Sequence, residues 1–108
     1  MKYIEKEMSR TETIETLKTY ATQEWGIENV MLVKGNKKMI WNRETEEVYW
    51  EATNGRSICD YCGRWKDPKD PDWCPCEEER RTMSSEKLRK YIETKFRGGK
   101  IMLTKIVY

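Results

Sequence analysis

Four cysteines constrain this chain more than any other feature: Cys59-Asp60-Tyr61-Cys62-Gly63 and Cys74-Pro75-Cys76 place two close pairs 11 residues apart. The 108 residues include no His, which excludes every His-dependent metal site and the commonest general base. Two thiol pairs bridged by a loop have the spacing of a four-ligand site. Zn²⁺ is borderline soft and takes four thiolates at about 2.3 Å. With all four positions filled by protein no place is left for water, so the site is expected to be structural. Three other uses of these cysteines stand beside zinc: an iron site of rubredoxin or iron–sulfur type, disulfides, and a redox-active C-x-x-C. Iron loses ground on spacing, and the redox reading lacks a thioredoxin-like strand-turn-helix around Cys59 and Cys62. Disulfides lose ground on location. Met1 to Glu7 has no apolar signal-peptide core, so a soluble, cytoplasmic chain with reduced thiols is expected. No run approaches the roughly 18 apolar residues that cross a bilayer, and no membrane partner is expected.

The first pair is the more specific. In a C-x-x-C-G turn, backbone N–H groups point at the sulfurs, and Gly63 supplies the left-handed conformation that closes the loop. Residues 59–63 resemble the knuckle of zinc-ribbon and rubredoxin-like proteins, which implies that Cys59 and Cys62 ligate a metal. The second pair departs from ribbons, where C-x-x-C occurs twice. Here C-x-C sets Cys74 and Cys76 two residues apart, with Pro75 stiffening their presentation. Four thiolates around a divalent ion leave net negative charge, and Arg56, Arg64, Lys66, Arg80 and Arg81 flank the module to offset it. Trp65 and Trp73 bracket the intervening loop and are expected to cover the metal as a local mini-core.

Around the module, the spacing of apolar residues sets the elements. Met1 to Glu7 alternates weakly, as a short strand would. Ser9-Arg10-Thr11-Glu12 is a capping box that predicts a helix start. Ile14, Leu17, Ala21 and Trp25 then form one apolar stripe, with Thr16 on the polar side and Gly26 as the expected stop. From Asn29 the period falls to two, and Val30–Val33, Met39–Trp41 and Val48–Ala52 predict strands. Gly35-Asn36 and Arg43–Glu46 connect them, while Asn54-Gly55 predicts a hairpin whose second arm, Arg56 to Ile58, runs into Cys59. Ser84 or Ser85 can cap a second helix reaching about Phe96, ended by Gly98-Gly99, with Ile101–Val107 as a closing strand. The expected fold class is α+β: an antiparallel β-meander with two helices on one face and an inserted four-cysteine zinc-knuckle module at 56–81, in a single domain spanning 1–108.

Net charge is only +2, but residues 80–108 carry nine Lys and Arg against two Glu. Within the second helix Leu88, Tyr91, Ile92 and Phe96 share one face, and Lys87, Lys90, Thr94 and Arg97 the other. A basic outer face suits phosphate contacts. Lys87, Lys90, Arg97 and Lys100, assisted by Arg80 and Arg81, are therefore the candidate nucleic-acid-binding residues of a small DNA-binding regulator. An ordinary solvated helix carries the same pattern. The alternative function is a protein-interaction module, an inhibitor or adaptor, using the Trp-rich loop and the acidic strand surface. Trp41, Tyr49 and Trp50 form a second candidate surface, although packing against the first helix is their expected use. Carboxylates and Tyr abound without any pair of diagnostic spacing, so no enzyme activity is expected.

Overall fold

Runs of β-branched and aromatic residues punctuated by turn formers make most of this chain a sheet. The computed structural model describes residues 2–19, 26–69, 74, 76 and 79–107. Its elements are β1 (Lys2–Met8), α1 (Arg10–Thr19), β2 (Gly26–Lys34), β3 (Lys37–Asn42), β4 (Glu47–Ala52), β5 (Arg81–Thr82), α2 (Ser85–Thr94) and β6 (Lys100–Val107). The strands form one antiparallel sheet in the order β1-β6-β2-β3-β4-β5. The β2–β3–β4 stretch is the expected meander. Gly35 adopts φ 60° at its first turn, and Asn42 Oδ1 accepts the N–H groups of Glu44 and Thr45 at its second.

The last strand does not close an edge. β6 lies between β1 and β2, with Ile101 opposite both Met8 and Leu32, and Leu103 opposite Val30. Ile101 and Leu103 are buried, as a strand with neighbours on both sides and a helical layer above it requires. Two further expectations are corrected. Gly26 begins β2 instead of ending a helix, and Ala21 and Trp25 lie outside the described residues. The chain does turn at Asn54-Gly55, with Gly55 at φ 78°, but Arg56–Ile58 forms no hairpin arm against β4. Cys59 N–H donates to Arg64 O and Lys66 N–H to Ser57 O, flanking an Ile58–Trp65 bridge. The returning segment thus pairs with the far side of the cysteine turn.

Both helices lie on one face of the sheet. Val30, Leu32, Met39, Trp41, Val48, Ile101 and Leu103 meet Leu17 of α1, Leu88 and Ile92 of α2, and Phe96 just beyond it. Ser9 caps α1 by accepting the Glu12 N–H at 3.2 Å, and Ser84 caps α2 by accepting the Lys87 N–H at 3.3 Å. The buried side of α1 is more polar than its stripe predicts, because Thr13 and Thr16 are both buried. Their hydroxyls donate to the Ser9 and Glu12 carbonyls, which removes the cost of hiding them. Arg10 donates to the Phe96 carbonyl at 2.6 Å, tying the start of α1 to the chain just past α2.

Candidate metal centre

Glycine chemistry places the first ligand pair. Gly63 sits at φ 75°, and its N–H donates to Cys59 O at 2.9 Å. This closes the turn that brings the Cys59 and Cys62 sulfurs onto the same side as Cys74 and Cys76. The four sulfurs all lie within 4.8 Å of one another. The nearest crosswise distances are Cys59–Cys76 at 3.4 Å and Cys62–Cys74 at 3.5 Å. These are far beyond a disulfide bond of about 2.05 Å, and the four cysteines are free thiols. A tetrahedral ion with arms of about 2.3 Å sets its sulfur ligands about 3.8 Å apart, so the cluster fits a four-thiolate site and could hold a metal ion.

The thiols are not equivalent. Burial works against ionising Cys59, yet the backbone N–H groups of Cys62 and Tyr61 aim at its sulfur and the Cys76 and Cys74 thiols assist, holding its pKa down to about 6. At Cys74 the Cys76 N–H favours the thiolate, but burial and the neighbouring sulfurs of Cys76, Cys59 and Cys62 prevail, and the thiol is pushed up to about 12. The neighbouring thiols thus do not ionise together, and a bound cation would have to displace the protons they retain.

The cluster is fixed to the sheet along the outer edge of β4. Trp50 N–H donates to Asp60 O at 2.9 Å, while β5 pairs with Glu47 and Val48 further along the same edge. Above that contact the Trp50 ring lies flush on Gly63, where an added Cβ would come within 2.6 Å of the indole. Gly63→Ala therefore meets two costs, a left-handed backbone worth about 1–3 kcal/mol to a non-glycine residue and displacement of the ring. A fall in the urea midpoint of that order is expected. An unchanged midpoint would show that the contact does not hold the turn.

Trp65, expected to cover the metal, is half-buried. Its ring lies 4.9 Å from the Arg56 guanidinium and 5.2 Å from the Lys37 ammonium, cation–π contacts that join the cysteine segment to β3. Trp73, expected beside it, lies outside the described residues. Arg80 is held between two rings, its guanidinium carbon 5.2 Å from both Tyr49 and Tyr61. Burial of Tyr49, reinforced by Glu51 and partly offset by Arg80, raises its phenol pKa above 10 and keeps it protonated. Sequence reasoning missed these pairings because their members are far apart along the chain and follow no period. Gly63 was the one signal in the sequence, as a position without a side chain that leaves room for a neighbour.

The basic candidates fall into two groups. Arg80 stacks on the tyrosines, and Arg81 is exposed on the short β5. Lys87 and Lys90 project from the exposed side of α2, Arg97 follows the helix, and Lys100 opens β6. Among the described residues none of these last four makes an ion pair; the pair between Lys38 and Glu51, at 3.4 Å, lies on β3 and β4. Trp41 is buried in the core and Trp50 packs against it, so neither forms an open stacking surface.

Comparison of the chain with protein-family models, with curated proteins and with solved structures gave no match in any of the three. No helix among the described residues is long and apolar enough to cross a membrane.

Proposed function

We propose that the chain is a single-domain, non-catalytic zinc protein that binds nucleic acid through its basic C-terminal third. The observation that carries the metal assignment is the cluster of four free thiols within 4.8 Å. A site made wholly of thiolates selects a soft tetrahedral ion and offers no open position for a reacting water, so its role is to hold residues 56–81 in shape. That segment leads directly into β5 and the Ser84 cap, and through them sets where α2 lies. The nucleic-acid reading rests on Lys87, Lys90, Arg97 and Lys100 being exposed and without carboxylate partners among the described residues. Arg80 and Arg81 flank them from the metal side.

Binding of a fluorescent oligonucleotide across a salt series tests this. Four phosphate contacts give a slope of log K against log salt of roughly −3.6, equivalent to a loss of about a hundredfold between 50 and 200 mM salt. Replacing Lys87 and Lys90 together by Gln is expected to reduce that slope by about two. Absence of binding at low salt, for duplex and single strand alike, would overturn the reading and favour a protein partner instead.

A further inference from the structure

We propose that the junction where β1 enters α1 and α2 leads into β6 is an oxyanion site that takes a phosphate group. A cavity of about 390 Å³ opens there, within the size range of small-ligand sites. Its wall includes two cations, Arg10 and Lys100, against the single carboxylate of Glu7. Arg10 is already oriented, since one of its nitrogens donates to the Phe96 carbonyl at 2.6 Å. A guanidinium has five N–H donors, so most of its hydrogen-bonding capacity remains for a ligand. Lys100 is exposed and unpaired among the described residues.

The lining includes Gly98 and Gly99, which offer backbone alone. Gly98 takes φ 74°, and Gly99 is seated so closely that a Cβ would collide with the Val33 carbonyl and the Phe96 ring. Among the described residues the N–H groups of Gly98, in the lining, and of Arg97, just before it in the chain, have no backbone acceptor. Successive free N–H groups around a left-handed residue form the kind of concavity that binds anions, and Arg97 and Lys100 bracket this one in sequence. Phosphate suits the arrangement because guanidinium and backbone N–H groups can share its several oxygens. The proposal deepens the nucleic-acid reading by adding Arg10 and the glycine backbone, and rests on that reading only for the source of the phosphate, a nucleic-acid backbone instead of a free anion.

The test uses the full chain, zinc-loaded and ¹⁵N-labelled, titrated with inorganic phosphate and separately with a short single-stranded oligonucleotide, with sodium chloride at matched ionic strength as the control. Phosphate is expected to shift the amide signals of Arg97 and Gly98, and those of Gly99 and Lys100 beside them. Lys100→Gln is expected to weaken phosphate binding about fivefold, whereas Lys90→Gln should leave it unchanged and weaken only the oligonucleotide. Phosphate shifts without any oligonucleotide binding would uphold the site and remove the nucleic-acid reading. Oligonucleotide binding that leaves Arg97 to Lys100 still would overturn the site while the exposed face of α2 stands. No response of these amides to either probe, or shifts unaltered by Lys100→Gln, likewise overturns it.

Discussion

Cys62→Ser is expected to strip the protein of its metal and unfold the segment from Arg56 to Arg81 while leaving much of the sheet in place. Structural zinc sites hold their ion with about 10–16 kcal/mol. One ligand's share is roughly 3–4 kcal/mol, or two to three orders of magnitude in affinity. Native mass spectrometry should find one Zn²⁺ per wild-type chain and none on the variant at equal metal concentration. Hydrogen exchange should then show lost protection at Cys59 and Lys66, whose N–H groups close the cysteine turn, with that of Val30 and Leu103 in the central strands retained. Chelator treatment of the wild type should reproduce the pattern. A reduced, folded wild type that carries no metal would remove the zinc assignment, and the function proposed through it.

Trp41→Ala should be the most damaging substitution within the sheet. The side chain is 1 % exposed and sits in the core cluster shared by the sheet and both helices. Its indole N–H donates to the Met83 carbonyl at 2.6 Å, immediately before the Ser84 cap. Removing a buried Trp costs about 3–5 kcal/mol, which for a chain of this size lowers Tm by roughly 15–25 °C. Trp41→Phe separates the two contributions: it keeps most of the packing but leaves the Met83 carbonyl unpaired, for about 1–3 kcal/mol. Thermal melting of both variants by circular dichroism checks the ranking. Equal melting temperatures for the Phe and Ala variants would show that packing of the ring contributes little beyond its hydrogen bond.

Local chemistry made the elements legible in the sequence. Ser9 and Ser84 cap their helices through their own side chains, and Leu88, Ile92 and Phe96 are buried as their spacing demands. The alternation from Val30 to Ala52 marks strands because the side-chain period of a strand leaves no other reading. What stayed hidden depended on contacts between distant residues. Nothing in Ile101–Val107 says that it lies between β1 and β2 and not at an edge. Asn54-Gly55 is a strong hairpin signal, but a turn fixes only its own conformation, and Ser57 and Cys59 found better partners in Lys66 and Arg64. The four cysteines were legible as a set because their paired spacing is that of a four-ligand site, whose sulfurs must converge whatever lies between them. The rings that hold their segment in place, Trp50 on Gly63 and the two tyrosines around Arg80, answer to no such demand.

The position of β6 bears on how a growing polypeptide reaches this shape. Among the described strands β1 pairs with β6 alone, so a nascent chain still lacking residues 100–107 holds β1 unpaired and leaves one side of β2 open. The thiols emerge from the ribosome before that gap can close, so the cysteine cluster can assemble before the sheet is complete. A ribosome stalled between the two events would display an assembled cysteine cluster beside an unsealed hydrophobic layer, a species suited to chaperone attention and prone to sticking to its own kind.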